Sequence, residues 1–124
     1  MHWDKKLDAK LAHAIMSINA IKAVEFGDGQ KALENFGNAY HDEIFYDNNR
    51  FYRKTNNAGG IEGGMTNGED IVIRAIMKPI PTMKTPLASV DLKTKDNYSA
   101  HFERSDTCAV SACGVVAESM CAIV

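Results

Sequence analysis

Cysteine is scarce in this sequence, and its placement argues against two common kinds of small protein. Only three cysteines occur among 124 residues. They are Cys108, Cys113 and Cys121, all in the apolar segment at the end of the chain. An odd number of cysteines, without any Cys-x-x-Cys pair, opposes both a disulfide framework and a zinc site. We therefore expect no metal, and reduced, buried thiols in a cytoplasmic protein.

The sequence also lacks a large net charge and a long apolar run. The net charge is −2 and no basic run of five residues occurs, which argues against a nucleic-acid-binding surface. The opening Met-His-Trp-Asp-Lys-Lys lacks the apolar stretch of a secretory signal. The apolar segment from Cys108 to Val124 is too short for a membrane span, and Glu118 interrupts it. We expect neither nucleic acid nor a membrane as a partner.

Glycine, in contrast, is concentrated in one place. Five of the nine glycines lie between Asn56 and Gly68. Such density indicates backbone at positive φ, or backbone that approaches another group closely. Two Gly-Gly pairs suit neither a helix nor a strand. We interpret the segment as a loop whose exposed amide groups face an anionic ligand, with a long flexible connection as the alternative.

Apolar residues at helical spacing predict two helices. The first runs from Lys5 to about Ile21 with Asp4 as its N-cap. The second begins near Val110 and is so apolar that we expect it to be buried. It reaches Val124 without a glycine, lysine or proline to end it, so we expect the native chain to continue.

Strands are predicted between these helices, and the order of elements is that of an α+β fold rather than an alternating α/β fold. Residues 47–50 and 95–97 are predicted to be hairpin turns. Two prolines exclude a helix or a central strand from Lys78–Thr82. The strand candidates are Ala23–Phe26, Glu43–Tyr46, Phe51–Lys54, Ile71–Met77, Ser89–Lys93 and Tyr98–Glu103.

One motif resembles a dinucleotide-binding fingerprint but lacks the space for it. Residues 27–32, Gly-Asp-Gly-Gln-Lys-Ala, match G-x-G-x-x-A, and Asp47 lies twenty residues after Gly27. The helix that should follow has room only between Gln30 and Gly37. That is about two turns, which is too short for a crossover between parallel strands. We therefore interpret Gly-Asp-Gly as a turn.

Two charged segments leave alternatives open. Before the final helix, Ser105 or Asp106 is suited to cap the helix, and the residues alone favour that interpretation. The alternative is an anion-binding Arg104 beside a carboxylate, Asp106, that can take a proton. Lys78 is either a phosphate-binding cation on a rigid turn or a solvated lysine at a strand end.

Five motifs taken together resemble the C-terminal part of the chorismate synthase family. They occur in the family's order and cover the chain from about Asp4 to Val124, as expected of a single C-terminal segment, residues 1–124. The motifs are Met16–Ala20, Gly27–Gly29, Asn56–Gly64, Lys78–Thr82 and Arg104–Asp106.

The resemblance implies a lyase of the shikimate pathway, which leads to aromatic amino acids. Such enzymes remove phosphate and a hydrogen from 5-enolpyruvylshikimate 3-phosphate to give chorismate, and they require reduced FMN. The implied fold is a sandwich of antiparallel sheets layered with helices, assembled as a homotetramer. The implied FMN-binding residues are Asn19, Ala20, Gly63, Lys78, Pro79, Ile80, Pro81, Thr82 and Arg104, and the implied catalytic residues are Asp106 and Arg104.

The resemblance also implies that this chain is only about the last third of such an enzyme. The family's two catalytic histidines belong to segments without a counterpart here, and none of His2, His13, His41 and His101 matches them. We therefore expect the isolated chain to be inactive. The competing hypothesis is a non-catalytic α+β module that binds flavin or phosphate, or that self-associates.

Overall fold

The computed structural model describes residues 2–105 and 107–124, which form helices and antiparallel strand pairs. This confirms the predicted α+β class. The helices are α1 (Leu7–Met16), α2 (Gly37–Tyr40) and α3 (Val110–Ile123), with 3-10 turns at Trp3–Lys5 and Gly29–Leu33. The strands are β1 (Ile21–Phe26), β2 (Ile44–Asp47), β3 (Arg50–Arg53), β4 (Ile61–Glu62), β5 (Met65–Thr66), β6 (Ile73–Met77), β7 (Ala88–Val90) and β8 (Asn97–Ser99).

Helix α1 supplies most of the core, because its apolar stripe faces β1. Leu11, Ala14 and Ile15 are buried there, as the helical spacing predicts. The prediction of Asp4 as N-cap is wrong, since Asp4 lies in the 3-10 turn and Lys6 precedes the helix. The helix ends where the Ser17 hydroxyl and amide turn back onto carbonyls of its last turn.

Strand β1 pairs antiparallel with β6, from Ile21 opposite Met77 to Phe26 opposite Ile73. This pairing excludes the parallel strands of a dinucleotide-binding unit. The residues after Gly-Asp-Gly form only a 3-10 turn and the four-residue α2, which begins at Gly37. The interpretation of Gly27–Gly29 as a turn is confirmed.

Two further hairpins are formed by β2–β3 and β7–β8. The first turns at Asn48 and Asn49, both at positive φ, as a tight two-residue hairpin turn requires. The second is shorter than predicted: its strands end at Val90 and begin again at Asn97, because residues 91–96 fold into a loop held by the Asp91 carboxylate.

The glycine segment is folded more tightly than the predicted open loop. Gly63 and Gly64 form the turn of the β4–β5 hairpin, so strands do occur here. Just before it, Gly59 at φ +64° crosses Gly27 so closely that a Cβ on Gly59 would lie 2.2 Å from the Gly27 nitrogen. Close approach of two backbone segments, one of the two explanations for a cluster of glycines, therefore accounts for Gly59.

Helix α3 forms where predicted but is not buried. It contacts α1, yet none of its residues is buried, and Val115 and Ile123 are 65% and 78% exposed. Cys113 and Cys121 on α3 and Cys108 just before it are free thiols. Cys108 is exposed and the other two are half-buried, so the expectation of buried thiols is wrong. An apolar groove of about 610 Å³ separates α3 from α1 and the β1–β6 sheet.

Among the described residues, no helix is long and apolar enough to cross a bilayer.

Candidate functional site

Two of the segments singled out in the sequence are joined by a backbone hydrogen bond. The Lys78 amide donates to the Ala20 carbonyl over 2.8 Å, directly after the end of the β1–β6 pairing. Ala20 has φ +72°, an uncommon conformation for a residue with a side chain. The bond holds the end of α1 against the start of the Lys-Pro-Ile-Pro-Thr turn, beside the exposed Asn19.

A cavity of about 600 Å³ lies beside this junction. The turn contributes Lys78, Pro79, Ile80 and Thr82 to its wall, whereas Pro81 is exposed and does not line it. The opposite wall comes from the segment before α3 and from the helix start, with Phe102, Ser105, Thr107, Cys108, Ala109 and Val110. Two motifs that are more than twenty residues apart in sequence thus share one cavity.

The chemical character of the wall is mixed. Ile80, Met83 and Phe102 offer apolar surface, and Thr82, Ser105 and Thr107 carry hydroxyl groups. Pockets of this size, mostly apolar with a few polar groups, are typical of small-molecule sites. Lys84 lines the cavity together with Lys78, although it belongs to none of the five sequence motifs. The one sequence feature that indicates a role for Lys84 is its position two residues after the Lys-Pro-Ile-Pro-Thr motif.

The predicted catalytic residues adjoin this cavity in sequence. Arg104 is exposed and precedes Ser105, which lines the wall. Helix α3 begins at Val110 after Ala109, which makes no capping side-chain hydrogen bond. Ser105 therefore does not cap the helix. Asp106 lies outside the described residues, so its proposed proton-transfer role stays a prediction.

Gly63 stands apart from the cavity. It is exposed at the tip of the β4–β5 hairpin, and the neighbouring Gly64 carbonyl accepts a hydrogen bond of 2.9 Å from the Leu7 amide at the start of α1. The ten residues of α1, roughly 15 Å of helix, separate this point from the end of the helix near Ala20. A Cβ on Gly63 would meet nothing within 4 Å, so its backbone is open to an approaching group.

The amides of the glycine segment are mostly used within the chain. The Asp42 carboxylate accepts hydrogen bonds from the Asn57 and Ala58 amides at 2.8 and 2.9 Å, and from the Thr55 hydroxyl at 2.6 Å. The Gly60 amide donates to the Asn56 side chain. These amides are not free for an anion, which corrects the prediction of a ligand-facing loop for this part of the segment.

The environment of Asp42 stabilises its charge. Partial burial opposes ionisation, but the Thr55 hydroxyl, the two backbone amides and the charge of Arg53 outweigh it and lower the pKa of Asp42. Arg53 in turn donates to Glu62 over 2.9 Å, which ties β3 to the β4–β5 hairpin. The hairpin that carries Gly63 is thereby held directly beside its turn.

A second charged group holds the Gly-Asp-Gly turn. Asp28 pairs with Lys31 and, over 2.7 Å, with Arg74 on β6. The Lys31 hydrogen bond and then the Arg74 charge lower the pKa of Asp28, although desolvation opposes them. Arg74 also donates to the Gly27 carbonyl. The cluster is satisfied internally, as expected of a structural turn.

Comparison with known proteins decides the family. The sequence profile described as chorismate synthase matches residues 1–124. The chain belongs to the chorismate synthase family. It is 60% identical over 131 aligned residues to a chorismate synthase of Geobacter sulfurreducens, and 61% identical over 123 to chorismate synthase 2 of Bacillus thuringiensis strain Al Hakam.

These alignments cover 99% and 98% of this chain but 33% and 32% of the two relatives. The chain thus spans about a third of the length of the chorismate synthases it matches. It is also similar to a crystal structure of chorismate synthase, with a TM-score of 0.74 and 41% identity over 99% of this chain and 30% of that one. The predicted fold of this family is confirmed.

Proposed function

We propose that this chain is the C-terminal, flavin-binding part of a chorismate synthase. The complete enzyme would eliminate phosphate and a hydrogen from 5-enolpyruvylshikimate 3-phosphate to give chorismate, in the cytoplasm and as a homotetramer. The observation that carries the proposal is the shared cavity, which unites the Lys-Pro-Ile-Pro-Thr turn with the segment that follows Arg104. Family membership supports the enzyme class, since the relatives named above are chorismate synthases.

The cavity suits the cofactor that the family resemblance implies. Ile80, Met83 and Phe102 would cover a planar, largely apolar ring system, and Lys78 supplies a cation for an anionic end. Thr82, Ser105 and Thr107 offer hydroxyl groups for hydrogen bonds to ring heteroatoms. Reduced FMN, when bound, would supply electron density to the allylic system of the substrate as phosphate leaves.

The residues of this chain would bind and orient the cofactor and the substrate and would move protons. They would not perform the redox step. Lys78 is held in place through its own amide, which donates to Ala20. Arg104 would bind an anion where cofactor and substrate meet, and Asp106 would move a proton on or off the flavin. Gly63 lies at the opposite end of α1 and does not line the cavity, so its contact with the cofactor, through its open backbone, is a role that only the family resemblance implies.

A flavin titration tests the proposal. We expect FMN fluorescence to be quenched saturably by the 124-residue chain, and Arg104→Ala to weaken binding by about tenfold, since charge-assisted hydrogen bonds to anions are among the stronger polar contacts. The matched control is Arg50→Ala, because Arg50 is exposed at the start of β3 and does not line the cavity. Absence of saturable binding at high FMN concentration would overturn the proposed cofactor site.

Catalysis by the chain alone is not expected, because the resemblance assigns the proton-transferring histidines to segments outside this sequence. An anaerobic assay with reduced FMN and 5-enolpyruvylshikimate 3-phosphate should show no chorismate. Turnover by this chain would contradict the proposed division of roles.

A self-associating module is the second candidate, and the surface of α3 favours it. Val115, Val116 and Ile123 are each about half exposed or more, and a helix that is apolar around most of its circumference normally packs on several sides. Light scattering coupled to size exclusion separates the candidates: oligomers that bind no flavin would support the module alone.

A further inference from the structure

We propose that Lys84 is a second phosphate-binding cation of the Lys78 cavity, and that it binds the phosphate monoester of the ligand held there. The inference rests on the proposed function, because it assigns one part of that ligand to one part of the wall. Both lysines line the cavity, at the two ends of the segment 78–84.

The segment that carries the two lysines is rich in proline. Pro79 and Pro81 lie within it, and Pro86 lies two residues after Lys84. Each proline fixes its own φ and restricts the residue before it. A backbone restricted in this way loses little conformational entropy when a ligand binds, so ordering it takes little from the binding free energy.

The charge around the cavity favours an anion. Of the described residues that line it, two are lysines and none carries a carboxylate. The four ion pairs found within residues 2–105 and 107–124 involve neither Lys78 nor Lys84. A chain with a net charge of −2 thus presents two cations at one cavity. A phosphate monoester carries about 1.5 to 2 negative charges near neutral pH and matches them.

The remaining wall explains why a simple anion would not fill the site. Ile80, Met83 and Phe102 present apolar surface between and opposite the lysines. A ligand with a flat apolar body and a phosphate end satisfies both parts of the wall. FMN has this form, whereas 5-enolpyruvylshikimate 3-phosphate offers the same phosphate chemistry on a smaller, more polar body.

Paired titrations test Lys84. FMN and riboflavin, which lacks the phosphate, are titrated into the chain and into Lys84→Met, Lys84→Arg and the control Lys93→Met, whose lysine lies in the β7–β8 loop away from the cavity. Lys84→Met should weaken FMN binding by about tenfold and leave riboflavin binding unchanged. Lys84→Arg should restore most of the loss. A parallel calorimetric titration uses 5-enolpyruvylshikimate 3-phosphate.

Each outcome is decisive. A loss confined to FMN assigns Lys84 to the cofactor phosphate, and a loss confined to the substrate assigns it to the substrate phosphate; both support the proposal. Equal losses for FMN and riboflavin, or none for any ligand, overturn it while flavin binding itself persists. If neither flavin binds the unsubstituted chain, the proposed function fails as well, which is a distinguishable result.

Discussion

Gly59 packs against Gly27 so closely that no side chain fits between them. A Cβ on Gly59 would lie 2.2 Å from the Gly27 nitrogen and 2.6 Å from its Cα, and Gly59 also has φ +64°. Because the obstacle is backbone on both sides, it cannot be relieved by a rotamer change. The contact joins the glycine segment to the Gly-Asp-Gly turn, so two sequence motifs form one structural unit.

The first prediction concerns this contact. Gly59→Ala should lower the free energy of unfolding by more than about 2 kcal/mol, from overpacking together with the positive φ. Gly114→Ala is the control, since Gly114 lies inside α3 with nothing within 4 Å of a new Cβ. It should raise stability by roughly 0.5–1 kcal/mol. Urea denaturation measures both; equal effects would contradict the close contact.

The second prediction is a pH dependence from Asp42. Its folded-state pKa is lowered, so the carboxylate stabilises the fold fully above its unfolded pKa of about 3.9, and this contribution is lost as pH falls below that value through the folded pKa. Asp42→Asn should cost about 1–3 kcal/mol at pH 7. It should also flatten the stability profile below about pH 4. Thermal melts from pH 7 to 3 measure this.

Asp4→Asn is the control for that profile, because Asp4 caps no helix and its side chain is exposed. Its profile should follow that of the unsubstituted chain. If Asp42→Asn also follows it, the three hydrogen bonds to Asp42 do not stabilise the charged carboxylate.

Local elements of this fold follow from local sequence patterns. The stripe of Leu11 and Ile15 predicts α1, and the Asn48-Asn49 pair predicts the β2–β3 turn, because backbone preference and side-chain spacing act over a few residues. The crossing of Gly27 and Gly59 is different: it joins positions thirty-two residues apart, and glycine density alone does not distinguish close packing from an open ligand loop.

The same limit explains α3 and Lys84. Apolar composition predicts that a helix is buried, but which of its faces are covered depends on elements that are distant in sequence. Helix α3 contacts α1, yet none of its residues is buried. Lys84 is a candidate site residue because it lines a cavity whose opposite wall contains Phe102 and Thr107. The spacing of residues along the sequence does not indicate that these two segments lie opposite each other.

The third prediction uses the positive φ of Ala20. An alanine at φ +72° is held in a conformation that glycine adopts without strain. Ala20→Gly should therefore leave stability unchanged or raise it by up to about 1 kcal/mol, whereas Ala20→Val should lower it by about 1–3 kcal/mol, since a branched side chain is least tolerated there. Denaturation of both variants tests this. A glycine variant as destabilised as the valine variant would contradict it.

The fourth prediction uses Cys108 as a reporter of the cavity. Cys108 is exposed on the cavity wall, whereas Cys113 and Cys121 are half-buried along the separate groove between α1 and α3. Iodoacetamide should therefore alkylate Cys108 first. FMN at ten times its Kd should slow that alkylation about elevenfold, because protection grows as one plus the ratio of ligand concentration to Kd. The other two cysteines should react at unchanged rates, and peptide mass spectrometry resolves all three. Equal protection of every cysteine would indicate a general tightening of the fold, and protection of none would place the flavin away from this wall.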